Sequence, residues 1–404
     1  MNTIKDEKND NMLNKILNIS FNQDNSCFSI GTENGFMIFE TYPFKNQYKR
    51  KMDGGIKQVE MLYRTNLLAL IGGGDIPKFN PKKLVIWDDY QNKMASEIKF
   101  FSNLKNVKLK KDKIFVICDK NIYVFDLKSF ENLEIINTRD NPKGLFGINS
   151  DPNKTIIAYI EKVDKDNKDT INKYYINIKN YEKNTNFPFL VQDDQISYIS
   201  LNNDGTLLAT SNEKGNLIKI HSCINGNILA QFYRGKDKAE INYICFDNLN
   251  NFLAVSSDKG TIHIWSLGGV LDKLKLIKSD ENKKIIKENK EDNKEDKKIE
   301  EKNIISENND INNENKININ EERDSEKIDV VLPRNKKGIF SQNEKSFAQI
   351  RINSNKSVCS FQKNNIIVII TYDGKYYQAQ LDTNKGGNCQ IIAQDSLNNL
   401  NQDN

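Results

Sequence analysis

One unit recurs along this chain and limits what the chain can fold into. It is clearest at 16–39 (ILNISFNQDNSCFSIGTENGFMIF), at 196–220 (ISYISLNNDGTLLATSNEKGNLIKI) and at 241–265 (INYICFDNLNNFLAVSSDKGTIHIW). Each copy reads as an apolar strand, a polar turn, a second strand with small residues, a Gly-containing turn and a third apolar strand. The Gly that follows Asn or Lys at the second turn supplies the positive φ that tight hairpins need. Weaker copies lie at 56–87, 104–127, 145–178 and 347–380. Seven units at intervals of about 40–45 residues match the period of a propeller with four-stranded blades. No amphipathic helical run of useful length competes with them. The pattern predicts an all-β, seven-bladed β-propeller of the WD40 type over 11–395, with one long insertion between the third strand of blade six and the strand beginning near Phe347.

Composition supports the same division. Only 37% of the 404 residues are hydrophobic, 28% are charged, and roughly one in seven is Asn. That is poor for one thick core, so the chain combines thin layers with unstructured segments. Residues 278–327 hold 12 basic and 16 acidic residues with no aromatic, Gly or Pro, so the segment carries −4. A disordered or fitfully helical insertion is expected there, and disorder at 1–10 and 396–404. With the whole chain at +4, the remainder is left at +8, a moderately basic body suited to an anionic partner.

Several function classes fall away early. With two histidines, His221 and His263, His-rich metal sites and His-based nucleophile couples have almost no candidates. The six cysteines (Cys27, Cys118, Cys223, Cys245, Cys359, Cys389) form no CxxC and sit mostly in strand-like runs, as buried free thiols of a reducing compartment do. The N-terminus is charged where a signal peptide is apolar, and the longest apolar runs are too short to span a bilayer. Gly72-Gly73-Gly74 is followed by neither a helix pattern nor Gly-Lys-Ser/Thr, so it is no phosphate loop. A soluble, cytoplasmic, non-enzymatic chain is expected, with no cofactor, metal or nucleic-acid partner.

Local motifs then narrow the reading. SFNQDNSCFSIGTENGF (20–36), VEMLYRTNLLALIGGG (59–74), PKFNPKKLVIWDD (77–89), TRDNPKGL (138–145), FYRG (232–235), FLAVSSDKGTIHIW (252–265) and EKSFAQIR (344–351) are not general propeller consensus. Together they resemble one family, the PROPPINs, phosphoinositide-binding propellers of autophagy, over nearly the whole chain from Leu17 to about Asp395 outside the insertion. The resemblance implies a signature of Phe/Leu-Arg-Arg-Gly in blade five. Its two arginines point to opposite faces of a strand and serve two head-group sites. Here the signature is Phe232-Tyr233-Arg234-Gly235, so the first arginine is a tyrosine.

Further departures cluster with that loss. Positions where the family carries His, Ser, Thr and Arg read Gln192, Asn212, Asn216 and Lys219. The downstream turn, Ser256 to His263, is intact. The resemblance therefore implies one surviving phosphoinositide site of Arg234, Ser257, Thr261 and His263, and a weakened second one of Gln192, Asn212, Asn216, Lys219 and Tyr233. His221 reads as structural.

In the family the blade-six insertion dips into the bilayer. The centre of this one is too charged to enter hydrocarbon, but its flanks mix apolar residues with lysines. Leu274, Leu276, Val331, Leu332 and Phe340 are the candidates for shallow membrane insertion. The expected partners are a membrane bearing phosphatidylinositol 3-phosphate or the 3,5-bisphosphate and autophagy proteins such as a bridge-like lipid-transfer protein. The expected location is the periphery of pre-autophagosomal, endosomal or vacuolar membranes. The competing reading is a protein-only scaffold whose lipid binding has weakened or gone.

Overall fold

A computed structural model describes residues 15–163, 173–280, 283 and 345–397. Short β-branched and aromatic runs form the strands, and each run is cut by Asn, Asp or Gly before it exceeds eight residues. Blade one is β1–β4 (Ile16–Phe21, Cys27–Thr32, Gly35–Glu40, Lys45–Lys51), and blade two is β5–β8 (Ile56–Met61, Leu67–Gly72, Lys83–Asp88, Lys93–Lys99). Blade three is β9–β12 (Asn106–Leu109, Lys113–Ile117, Asn121–Asp126, Asn132–Asn137), and blade four is β13–β16 (Gly147–Ile148, Ile156–Ile160, Tyr174–Asn180, Thr185–Gln192). Blade five is β17–β20 (Ile196–Leu201, Leu207–Asn212, Leu217–Ser222, Ile228–Tyr233). Blade six is β21–β24 (Ile241–Phe246, Phe252–Ser257, Thr261–Ser266, Ala348–Arg351), and blade seven is β25–β27 (Ser357–Phe361, Ile366–Thr371, Lys375–Gln380) with β29 (Gln390–Ser396). Between β27 and β29, β28 (Gly387–Asn388) crosses back and pairs parallel to β24 as a fifth strand of blade six. The seven-bladed propeller is thus present, each blade an antiparallel meander of neighbours in sequence.

One boundary differs from the sequence reading. The unit placed at 347–380 is split: Ala348–Arg351 pairs with Thr261–Ile264 and finishes blade six, and blade seven starts at Ser357. The repeat pattern runs across that gap because the pairing partner of β24 lies some eighty residues upstream, beyond any local signal.

The ring closes by packing, since no strand is exchanged between blades one and seven. Ile19, Phe28 and Phe39 of blade one share a buried cluster with Val368, Ile370 and Tyr376 of blade seven. Tyr376 is fully buried, stacks on Phe44 with ring centroids 3.9 Å apart, and donates its hydroxyl to the Thr41 carbonyl at 2.7 Å. Tyr372 donates to Asn18 Oδ1 (3.2 Å) across the same seam.

Residues 272–341 form a second compact unit, and most of it, with 1–10 and the end of the chain, lies outside the described residues. The part that is described corrects two expectations. Residues 268–280 are helical where no useful helix was expected. The signal was present, because Leu267, Val270, Leu271 and Leu274 follow the i, i+3, i+4, i+7 spacing of one helix face. Leu267, Val270 and Leu274 are buried, whereas Leu276 is 67% exposed. Leu274 is therefore not offered to a bilayer in this structure. Leu276 is exposed, and Val331, Leu332 and Phe340 lie outside the described residues.

Candidate functional site

The end of β20 is held against blade six by an aromatic pair. Phe232 is fully buried and stacks on Trp265 of β23, with ring centroids 5.4 Å apart and planes at 13°. With Phe232 fixed, Tyr233 and Arg234 leave the strand on opposite sides. The Arg234 amide donates to the Asn216 carbonyl (2.9 Å), which extends the β19–β20 pairing by one residue. Its guanidinium donates from Nε to the Gly215 carbonyl (2.8 Å) and from Nη2 to the Asp237 carbonyl (2.7 Å). Gly215 permits this approach: at φ +63° it turns the chain, and a Cβ there would sit 1.9 Å from the Ala239 carbonyl oxygen.

Two carbonyls thus orient the fork and leave Nη1 without a protein partner among the described residues. Partial burial pulls the Arg234 pKa down, opposed by Asp258 and Asp237, but a guanidinium stays charged in any protein setting. The same charge is felt by His263. Burial first, and then Arg234, push that imidazole down to about 4, so it is neutral near pH 7. His263 stacks on Trp265 (5.6 Å), lies 3.3 Å through Nδ1 from Ser346 Oγ, and is 8% exposed. A fixed cation facing a neutral imidazole is an arrangement that an anion would satisfy, since it can accept from both.

Thr261 and His263 share one face of β23, two residues apart. Ser257 behaves differently. It is 1% exposed, and its Oγ accepts from the Lys259 amide (3.4 Å), so in this structure the hydroxyl shapes the β22–β23 turn and faces no solvent. Three of the four expected residues, Arg234, Thr261 and His263, are brought to one region, with Ser257 behind them. One residue escapes the sequence reading. Arg351, exposed on β24, is the cross-strand partner of Thr261, as Gln349 is of His263. The local pattern puts EKSFAQIR in the last unit, and only the strand pairing brings its arginine here.

The second set is assembled and partly engaged within the protein: Gln192 and Asn212 are buried, and Asn216, Lys219 and Tyr233 are partly exposed. Gln192 is buried and spends its Nε2 on the Asp194 and Gln195 carbonyls (3.0 and 3.1 Å). Lys219 Nζ donates to the Val191 carbonyl (3.0 Å), and burial pulls its pKa down against Asp193 and Asp194. Asn212 Nδ2 donates to Asn216 Oδ1 (2.9 Å), closing the turn on itself. Tyr233, opposite Leu217, brings no charge. His221 is fully buried beside Phe189 and pushed down to about 3 by burial, in keeping with a structural role.

All six cysteines are free, and no group of three or more His, Cys, Asp or Glu among the described residues is placed to hold a metal ion. No described helix is long and apolar enough to cross a membrane.

Comparison with known proteins bears on the family and the fold. Autophagy-related protein 18 of Yarrowia lipolytica is 29% identical over 398 residues, 94% of this chain and 96% of that one. Autophagy-related protein 18e of Arabidopsis thaliana is 27% identical over 377 residues (92% and 85%). SVP1-like protein 2 of Saccharomyces cerevisiae is 32% identical over 299 residues, 65% of each chain. Among solved structures, Kluyveromyces lactis Hsv2 with its complete loop 6CD superposes with a TM-score of 0.66 at 20% identity, covering 95% of this chain and 99% of that one. The KlAtg21 complex with the coiled-coil of AgAtg16 gives 0.66 at 21%, with the same coverage. These two carry the fold alone. The PROPPIN family model matches residues 16–277, well over half of the chain, and the chain belongs to the PROPPIN family.

Proposed function

We propose that this chain is a non-enzymatic phosphoinositide effector. It binds phosphatidylinositol 3-phosphate, or the 3,5-bisphosphate, through Arg234, Thr261 and His263, with Arg351 at the edge and Ser257 shaping the turn. In this reading it sits at the periphery of pre-autophagosomal, endosomal or vacuolar membranes and recruits autophagy or endolysosomal machinery. The partner classes considered are a coiled-coil protein, as KlAtg21 has in its complex with AgAtg16, and a bridge-like lipid-transfer protein. The observation that carries the reading is the Arg234 guanidinium, held by two carbonyls and near enough to His263 for its charge to help keep that imidazole neutral. Exposed Leu276 supplies a shallow apolar contact, the second signal that reversible membrane binding needs.

The internal hydrogen bonds of Gln192, Asn212 and Lys219 and the lack of an arginine at Tyr233 favour a single working site, and a protein-only scaffold is the reading that remains if that site fails. Vesicle flotation separates them. Arg234→Ala should abolish binding to vesicles carrying phosphatidylinositol 3-phosphate, because a lost charge-assisted phosphate contact costs about 1.5–3 kcal/mol. Unchanged flotation of a folded Arg234→Ala protein would sink the lipid assignment.

A further inference from the structure

The central channel of the propeller carries a second basic site, unrelated to the rim. A cavity of about 530 Å³ runs along the innermost strands, in the size range of small-molecule sites. Its lining includes five lysines, Lys57, Lys105, Lys108, Lys143 and Lys356, against two carboxylates, Glu60 and Asp247. The carboxylates do not balance them. Glu60 is taken up by Lys108 (2.9 Å), and Asp247 follows the far end of β21, where it accepts from the amides of its own turn.

The four remaining lysines gather at one mouth. Because the blades are meanders of four consecutive strands, every innermost strand begins at the same end of the channel. Lys57 lies in the first turn of β5, Lys105 precedes β9, Lys143 lies in the loop before β13, and Lys356 precedes β25. Gly144, next to Lys143, packs so closely that a Cβ on it would be 2.7 Å from the Lys105 Cβ. Lys105 has an ion pair with Asp119 (3.1 Å) and Lys356 lies over the Tyr372 ring (4.0 Å). Lys57 and Lys143 have no ion pair among the described residues, although Lys57 is partly buried and sits within the field of Lys105.

Asp119 also acts on Lys57 but is already paired with Lys105, so two neighbouring cations share one carboxylate and an added anion would be favoured there. We propose that this channel mouth binds a small soluble polyphosphate through Lys57, Lys143 and Lys356. A cavity of this size excludes a folded partner or a bilayer surface, and mobile ammonium groups from several blades suit a ligand with several phosphate oxygens.

The test is calorimetric titration of the full chain with tripolyphosphate at low salt. Arg234→Ala should keep the channel event and lose only a rim event, and the double variant Lys57→Gln/Lys356→Gln in the Arg234→Ala background should bind at least about tenfold more weakly than Arg234→Ala alone. Lys143→Gln, a change at an exposed residue, should weaken binding severalfold and keeps the test open if the double variant fails to fold. Absence of tripolyphosphate binding by the parent would overturn the proposal, as would binding lost in Arg234→Ala but kept in Lys57→Gln/Lys356→Gln alone. A polyglutamate peptide competing as well as tripolyphosphate would assign the mouth to acidic polypeptide instead. Vesicle binding that survives Arg234→Ala and disappears in Lys57→Gln/Lys356→Gln would overturn the soluble source of the phosphate.

Discussion

At the scale of single residues, one substitution reorganises the rim. Strand alternation sends Tyr233 and Arg234 to different sides, so a tyrosine at the first signature position leaves one set without a guanidinium, with Lys219 as its cation, and leaves the Arg234 set untouched. Tyr233→Arg should return a guanidinium to the weaker set. The gain in head-group binding, read by calorimetry, should stay small, because Gln192, Asn212 and Lys219 already spend their donors inside the protein. A gain to full parity with the Arg234 site would contradict that picture. The histidines give a pH prediction. Folding lowers the His263 pKa from 6.5 to about 4 and that of His221 to about 3, so the unfolded chain takes up protons first. The histidine contribution to stability should therefore be full near neutral pH and be lost progressively as pH drops from about 6.5, down to about 4 for His263 and about 3 for His221. Melting curves across that window should be less acid-sensitive for folded His263→Gln than for the parent. An identical slope would show that His263 titrates normally in the folded protein.

At the scale of elements, the inner strands are joined by buried polar contacts that sequence periodicity cannot show. Glu60 on β5 is 3% exposed, pairs with Lys108 on β9 at 2.9 Å and accepts from Ser20 on β1 at 3.1 Å, tying blades one, two and three. Burial raises its pKa and Lys108 opposes the rise. Lys108→Met would leave that carboxylate with the Ser20 hydroxyl and without its cation, at a cost of about 3–5 kcal/mol. The double change Glu60→Gln/Lys108→Gln should cost less than the sum of the singles in urea unfolding, and strict additivity would contradict the coupling. Legibility in the sequence follows the same line. The three-strand core of each blade was readable because its period is local: Gly215 and Gly260 mark their turns whatever the rest of the chain does. The assignment of β24 to blade six was not readable, and Arg351 went with it, because that pairing spans the insertion. The helix at 268–280 was legible in the spacing of Val270, Leu271 and Leu274 but was masked by its lysines. That Ser257 is enclosed by its own turn is a property of packing, and no motif carries it.

At the scale of the whole molecule, the ring depends on a seam between its first and last blades that is packed and hydrogen-bonded. Tyr376 is central to that seam. Tyr376→Phe should cost about 1 kcal/mol through the lost bond to Thr41, and Tyr376→Ala about 3–5 kcal/mol through the lost packing against Phe44. A neutral Tyr376→Ala in thermal unfolding would mean that the ring closes elsewhere. The platform so closed carries two candidate sets at blades five and six, one with Arg234 and one with Lys219, and the central claim of the proposed function is that the Arg234 set alone is the working head-group site. Calorimetric titration with soluble inositol 1,3-bisphosphate tests it most directly. In the Lys57→Gln/Lys356→Gln background, which removes the channel mouth, the account predicts one site per chain, abolished by Arg234→Ala and unaffected by Lys219→Ala. Two equivalent sites, or binding that survives Arg234→Ala and disappears with Lys219→Ala, would contradict it.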